Sequence, residues 1–448
     1  MVDRALLLGL LKYTSSGALH HAPFSLEPCP LSPPLHDAMV AMTPAFNTLA
    51  RNLSRESDFL ADVLAPAVRV DDFTARLLDI AQSAGNTQPL FLGLIRSDYF
   101  VHHPHPGQPP AFRQVELNTI SASYPGLSAL VHRLHRDQSN AATGDPPSPS
   151  LVPNDPLPPI AEAFAAAVER YGYPGAMVLM VVQPNEANLF DQRLLEFALQ
   201  ARGLRVLRRS LQEIGEEASL REGHLTIGGG IAAITYFRAA YGPEDFPNEE
   251  AFRARRLIES SSTVSVPSLH TQLAGTKKVQ QVLTDPEVLA RFLDSREAAK
   301  VLPAFAGQYD LESDLATESG PLPAWQEAMA RSGDYVLKPQ REGGGHNFFD
   351  EEMVAKLTEI PPEERAAFVL MERIRPPARH AVLVAQGQAT PMEAVSEIGR
   401  FGVCLADGAQ EWINRDVGYL VRTKGQDTRE GGVSAGFGFL DSLALSEE

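Results

Sequence analysis

Residues 335–349 read YVLKPQREGGGHNFF, a β-forming run with a lysine in it, followed by an acidic residue, three glycines and an amide. Period-two alternation puts Val336 and Lys338 on one strand face, so an ammonium is presented from an otherwise apolar strand. Such a placement invites a phosphate. Glu342 is a hard oxygen ligand suited to Mg2+, and Gly343, Gly344 and Gly345 let backbone amides approach an anion where a Cβ would obstruct them. The order is neither GxxxxGK[ST] nor GxGxxG, which sets aside a Walker loop and a dinucleotide fingerprint. A glycine-rich surface turn after an edge strand would use the same φ freedom, so the reading needs support from other parts of the chain.

The remaining 433 positions of the 448-residue chain supply that support within a two-domain or larger body. Hydrophobic content of 44% and charged content of 21% are those of a globular protein rather than a disordered one. A net charge of −17 and a pI near 5.2 argue against nucleic-acid and anionic-membrane partners, so an anionic substrate must be met by local cations. Cys29 and Cys404 form no CxxC or zinc spacing, which points to a reducing compartment. The apolar run Ala5–Leu11, bracketed by Asp3 and Lys12, reads as a first helix packed on the body rather than a signal peptide.

Residues 1–90 carry helical periodicity, as in Phe73, Leu77, Leu78 and Ile80 after Asp71 and Asp72. Two strands follow, LFLGLIRSDYF and FRQVELNT, joined by the proline-rich HHPHPGQPP, whose His102, His103 and His105 read as a solvated tip. Residues 139–159 read as a linker or exposed loop. From about 160 the text alternates between helices (IAEAFAAAVERYG, FDQRLLEFALQARG) and strands (AMVLMVV, LRVLRR, AAITYFR), a small α/β unit. Strands return at YVLK, FVLMERI, VSEIGRFGVCL and YLVRTK, before a second glycine-rich stretch, GGVSAGFGF.

Several constellations carry chemistry. Strand alternation in FRQVELNT puts Gln114, Glu116 and Asn118 on one face, where Glu116 and Asn118 make half a shell for Mg2+; an ordinary solvated strand face would look the same. Arg422 and Lys424 share a face in YLVRTK and deliver two fixed cations. Arg96 and Arg238 emerge from strands, and an arginine fork can hold a carboxylate bidentately. Lys277 and Lys278 open a helix against its dipole preference, a conflict that an anion relieves. Met371, Glu372 and Ile374 give an apolar slot with a polar edge, as adenine needs. GxSxG and HExxH are absent, which leaves no serine-hydrolase or zincin pattern.

QVELNTISASYPG, ITYFRAAYGP, QLAGTKKVQQ, YVLKPQREGGGHN, LMERI, SEIGRFGV, LVRTK and GGVSAGFGFLD, in this order, resemble the motif series of the eukaryotic-type glutathione synthetase family from about Val2 to Asp441. The resemblance implies an α/β (α+β) ATP-grasp body, with an inserted α/β substrate-binding domain and glycine-rich lid loops. It divides the chain into 1–173 (helical scaffold and part of the ATP-grasp body), 174–276 (inserted domain) and 277–448 (ATP-grasp domain). The implied reaction is a carbon–nitrogen ligation in which MgATP phosphorylates the C-terminal carboxylate of γ-glutamylcysteine and glycine displaces phosphate. ATP is then a co-substrate with about two Mg2+ ions. The family's metal ligands fall on Glu116, Asn118 and Glu342. Its ATP contacts fall on Lys277, Lys338, Glu342, Gly343, Gly344, Gly345, Asn347, Met371, Glu372, Ile374, Glu397 and Lys424. Dipeptide contacts fall on Arg96, Ser121, Ser123, Asn188, Gln192, Arg238, Tyr241 and Arg422, with Val433 and Ser434 at the acceptor end, and Arg422 is the candidate catalytic cation. A cytoplasmic homodimer without nucleic-acid or membrane partners is implied as well.

Three positions depart from the family pattern: His346 replaces a usual asparagine, Phe349 a tyrosine, and Ser434 an alanine. Ser434 leaves β-alanine or serine open as the acceptor in place of glycine. A catalytically silent nucleotide-binding homologue is the alternative from another class.

Overall fold

The computed structural model describes residues 1–14, 16–84, 88–103, 109–143, 150–317, 320–340, 347–408, 410–429, 431–433 and 436–446. Glu342, Gly343, Gly344, Gly345, His346 and Ser434, all singled out above, lie outside these residues. The body is organised by a long hairpin, Gln388–Asp407 with Gln410–Gly425, central to a seven-stranded sheet. Leu90–His102 and Ala111–Asn118 extend it on one side; Phe439–Asp441, Phe24–Ser25 and Arg379–Ala385 extend it on the other. Its pairings are antiparallel except Leu440 with Phe24. Nearly every residue from Ala394 to Ala406 is buried, because the helices Pro33–Leu53 and Leu157–Tyr171 both pack on this strand. Met39, Phe46 and Leu49 of the first helix and Phe164 of the second supply the apolar stripes.

A second sheet is parallel at its centre, where Val206–Arg209, Met177–Val181, Gly230–Phe237 and Val264–Val266 run side by side. All five residues of Met177–Val181 are buried, as expected when helices cover both sheet faces. A third, four-stranded antiparallel sheet joins Gln308–Tyr309, Phe368–Glu372, Tyr335–Pro339 and Phe348–Phe349. Tyr335, Leu337 and Leu370 face a small core with Met353 and Leu357, which leaves Val336, Lys338, Val369 and Met371 on the opposite face. Among the described residues no helix is long and apolar enough to cross a membrane.

Three sequence expectations change. The stretch 139–159, expected as a linker or exposed loop, holds the end of the helix Pro125–Thr143 and the start of the helix Leu157–Tyr171, and Val152, Asn154 and Pro156 before the second helix are buried. The first ninety residues are helical over Val2–Leu8, Pro33–Leu53, Ser57–Leu64 and Asp72–Ala84, but they also hold four short strands between Leu11 and Leu31. Two or three residues cannot display a period. Gln114 does not share a face with Glu116, because the pairing shifts there: Asp98 opposes Glu116 while Tyr99 opposes Gln114. This β-bulge makes Val115 the extra residue and turns Gln114 to the other side, where its Nε2 donates to Ser97 Oγ at 2.7 Å.

Candidate functional site

The bulge on Ala111–Asn118 does more than reverse Gln114. An extra residue leaves a ladder carbonyl without a strand partner, and Lys338 Nζ donates to Val115 O at 3.1 Å. The third sheet is thereby fastened to the seven-stranded one, with the buried Lys338 ammonium beside Glu116. The helix Lys277–Val282 fills the angle between them: Gln280 Oε1 accepts from Leu117 N at 2.7 Å, and Gln340 Oε1 accepts from Lys278 N at 2.8 Å. Lys277 is buried and its field acts on Glu116 and Lys338, while Lys278 turns away into an ion pair with Asp310.

On the seven-stranded sheet, register brings the charges together. Arg96 opposes Asn118, Asp98 opposes Glu116, and Glu397 opposes Arg422. Asn118 Nδ2 donates to Asp98 Oδ2 at 3.0 Å and to Glu116 Oε1 at 3.1 Å. Arg96 forks onto Asp98, with Nε to Oδ1 at 2.7 Å and Nη2 to Oδ2 at 2.8 Å, and Nη1 donates to Ser123 O at 3.2 Å. Arg422 Nη2 donates to Asp98 Oδ2 at 3.1 Å and to Glu397 Oε1. Gly399 makes the fork possible, since a Cβ there would lie 2.5 Å from Asp98 Oδ1 and 2.8 Å from Arg96 Cδ.

Burial and charge pull these groups in opposite directions. Burial raises the Glu116 pKa, but the fields of Lys277, Arg422, Lys338 and Arg96 prevail and hold its carboxyl at about 2. Burial pushes Lys338 down to about 8, helped by Lys277 and opposed by Glu116 and Glu397. Glu397 is raised by burial and by Asp98 and Glu116, against Arg422. Burial lowers Arg422, yet Glu397, Asp98 and Glu116 raise it further, so it stays charged. One oxygen each of Asp98, Glu116 and Glu397 lies within 4.8 Å of the others, a hard-oxygen set that could hold a cation. Asp98 is the carboxylate that sequence reading missed; Arg-x-Asp on a strand was the available signal.

The adenine candidates lie on the neighbouring strand. Met371 is buried on the Lys338 face, Ile374 is half-buried beyond it, and Glu372 at the edge accepts from Tyr309 Oη at 2.8 Å and from Gly307 N at 3.3 Å. Asn347 is exposed. Lys424 shares the Arg422 face and donates to Arg429 O at 2.8 Å. Phe349 opposes Val336, with the guanidinium carbons of Arg373 and Arg429 at 5.7 and 5.8 Å from its ring centre.

The dipeptide candidates gather where the parallel strands end, the side on which open α/β sheets take ligands. Arg238 follows the strand Gly230–Phe237 and donates through Nη2 to Ser123 Oγ at 2.8 Å, and Ser123 Oγ donates to Ser121 O at 2.9 Å. Ser121 Oγ donates to Phe237 O at 3.4 Å, so the serine loop is stitched to the parallel sheet. Ser121 and Tyr124 hold φ of 50° and 76°, a left-handed path uncommon for such residues. Asp191 steadies this loop by accepting from Tyr124 N, Gly126 N and Leu127 N at 2.8–3.1 Å. Tyr241 Oη accepts from Gln183 Nε2 at 3.1 Å. Asn188 and Gln192 are buried beside Glu186, which accepts from Asn188 N at 2.6 Å and from Gln192 Nε2 at 2.7 Å. Glu186 was also missed, since it sits in a turn where no periodicity marks it. Val433 is buried, and its carbonyl accepts from Lys12 Nζ and Gly436 N, both at 3.1 Å.

The model of the eukaryotic glutathione synthase ATP binding domain matches residues 3–445. The chain belongs to the eukaryotic glutathione synthase family. Glutathione synthetase of Homo sapiens is 39% identical over 454 residues, covering 98% of this chain and 94% of that protein. The chloroplastic glutathione synthetase of Solanum lycopersicum is 38% identical over 459 residues, 99% of this chain and 82% of that protein. Among solved structures, a glutathione synthetase like-effector from Globodera pallida, in apoform, matches with a TM-score of 0.79. That match covers 99% of this chain and 95% of the other at 21% identity, a likeness of fold.

Proposed function

We propose that the chain ligates γ-glutamylcysteine to glycine at the expense of ATP, giving glutathione, ADP and phosphate. The observation that carries this reading is the cluster in which Glu116, Asn118, Asp98 and Glu397 meet Lys277, Lys338 and Arg422, in a chain of this family. In the first step a cysteinyl carboxylate oxygen attacks the γ-phosphorus of ATP and the bond to ADP breaks. In the second, the glycine nitrogen attacks the acyl carbon, the bond to phosphate breaks and the amine's proton is released.

The side chains divide this work. Lys277 and Lys338 meet phosphate charge, with Asn347, Lys424 and the loop of Glu342 and Gly343–Gly345 on the same nucleotide. Met371, Glu372 and Ile374 take the adenine. Arg422 stabilises the charge that builds on the acyl phosphate and then on the tetrahedral intermediate. Arg96, Ser121, Ser123, Asn188, Gln192, Arg238 and Tyr241 hold the dipeptide, while Val433 and Ser434 shape the acceptor end. Glu186 meets the dipeptide's ammonium. Mg2+ fits the donor chemistry: Glu116, Asn118, Asp98, Glu397 and Glu342 are hard oxygen ligands, and the ion would neutralise phosphate oxygens there. The domain division at 173/174 and 276/277, a homodimer and a cytoplasmic location complete the reading. The two buried free thiols, Cys29 and Cys404, favour a reducing compartment.

The test is ADP release by the full chain with MgATP and γ-glutamylcysteine, adding glycine, β-alanine or serine in turn and identifying the product by mass. Glycine is expected to be the fastest acceptor. If serine or β-alanine leads, the acceptor assignment is wrong; ATP binding without dipeptide-dependent ADP release makes the chain a silent homologue.

A further inference from the structure

Gln192, on the helix Leu189–Ala201, is fully buried, and both ends of its side-chain amide are engaged. A buried amide can sit either way round, and its neighbours decide which. Arg208, at the end of the strand Val206–Arg209, places Nη2 2.6 Å from Gln192 Oε1. A guanidinium has no acceptor, so only the amide oxygen can face it. Nε2 therefore points the other way and donates to Glu186 Oε2, while Glu186 Oε1 accepts from Asn188 N. Arg208 is held in turn by Glu196, whose Oε2 lies 3.6 Å from Nη1 and 2.8 Å from Arg193 Nη1. Helical spacing puts Glu196 one turn beyond Gln192, so both face Arg208.

We propose that Arg208 is a positioning residue: it sets the hydrogen-bond polarity of the Gln192–Glu186 pair and so prepares Glu186 for the ammonium of the dipeptide. The inference rests on the substrate reading given above. γ-Glutamylcysteine carries one cation, its α-ammonium, and Glu186 keeps lone pairs beyond the two bonds it already accepts. With the amide reversed, Gln192 Oε1 would oppose Glu186 Oε2, two acceptors at hydrogen-bond distance, and the carboxylate would be driven aside. Arg208 touches no substrate atom in this scheme; it acts through the amide.

The test compares γ-glutamylcysteine with glutarylcysteine, the same dipeptide without its α-amino group, in the full-length chain. Affinity is read from KM, or from inhibition where the analogue is not turned over. Arg208→Met is expected to raise KM for γ-glutamylcysteine roughly tenfold, the loss of about one charge-assisted hydrogen bond, while KM for ATP stays within about twofold. Its affinity for the analogue should stay near that of the wild type, because the group that Glu186 serves is missing. Arg193→Met removes the neighbouring ion pair on the same Glu196 without touching Gln192, and should leave both affinities in place. Arg208→Lys, which keeps a donor, should recover most of the loss. If Arg208→Met does not fold, Arg208→Leu carries the comparison, since it too presents no donor to Gln192 Oε1. Equal losses on the two ligands, or no loss on either, overturn the proposal. A wild-type chain without dipeptide-dependent ADP release would refute the proposed activity instead, and the Arg208 contrast then remains readable as binding of the two ligands by calorimetry.

Discussion

The seven-stranded sheet and the ends of the parallel strands prepare for ligands in different ways. On the sheet, the buried Asp98 and Glu397 pair with Arg96 and Arg422 beside the half-buried Glu116, and charges cancel in place. At the parallel strand ends, order comes from backbone amides and a side-chain amide, as in Asp191 holding a loop and Gln192 facing Glu186. A buried charge left without its partner costs several kcal/mol, so the first arrangement tolerates the loss of a member poorly. A single hydrogen bond to a charged group is worth about 1.5–3 kcal/mol, and the second is built from several of them, so it yields more gradually. On the proposed function, the sheet serves chemistry in which charge develops and the strand ends serve discrimination among substrates.

The sharpest way to break this contrast is Arg422→Ala. It removes the preorganised cation and leaves Glu397 and Asp98 facing each other, so turnover should fall on the order of a hundredfold or more. KM for the dipeptide should move far less, because Arg238, Gln192 and Glu186 are untouched. Single-turnover ADP formation separates the two effects; a near-normal rate would remove Arg422 from the catalytic role.

Two glycines carry the contrast further. Gly399→Ala would set a Cβ 2.5 Å from Asp98 Oδ1, in a cluster that cannot relax without breaking the Arg96 fork. Overpacking of this kind costs about 1–3 kcal/mol, and we expect a lower Tm with kcat reduced roughly tenfold. Gly126→Ala would set its Cβ 2.8 Å from Leu194 Cβ and 3.2 Å from Asp191 Oδ1, on the loop that Asp191 steadies. Its effect should appear in KM for the dipeptide, by about threefold to tenfold, with ATP kinetics preserved. Indistinguishable kinetic profiles for the two variants would dissolve the distinction between the regions.

The sheet cluster was the more legible region, for a physical reason. Strand alternation puts Lys338 with Val336, Arg422 with Lys424, and Glu116 with Asn118, and those shared faces are the ones observed. The same rule misplaced Gln114, because a bulge inserts one residue without a compositional mark, and that bulge exposes the carbonyl that anchors Lys338. Asp98 lies two residues after Arg96 and was within reach of the rule, yet an acidic residue in a strand is an ordinary observation until its partners are known. Glu186 was out of reach: it belongs to a turn, and only the folded chain brings it against Gln192 and Arg208. Motif order revealed the fold class, whereas the two-residue strand Phe24–Ser25, which joins the main sheet, is too short to leave a pattern.

The smallest effect concerns pH. Lys338 titrates near 8 in the ligand-free chain because burial and Lys277 disfavour its charge. Below that pH it is an ammonium and can meet phosphate; above it the amine is neutral and that attraction is lost. With dipeptide saturating, kcat/KM for ATP, which reports the free enzyme, should therefore hold level up to about pH 7 and then decline, to roughly half the plateau at pH 8 and roughly a quarter at pH 8.5. Arg208 and Arg238, at the parallel strand ends, are arginines, and burial does not bring an arginine into this range. Lys338→Arg should therefore move the declining limb upward in pH even if it lowers the plateau. A limb that stays at pH 8 in that variant would assign the titration to another group and weaken the link between the bulge, Lys338 and the nucleotide.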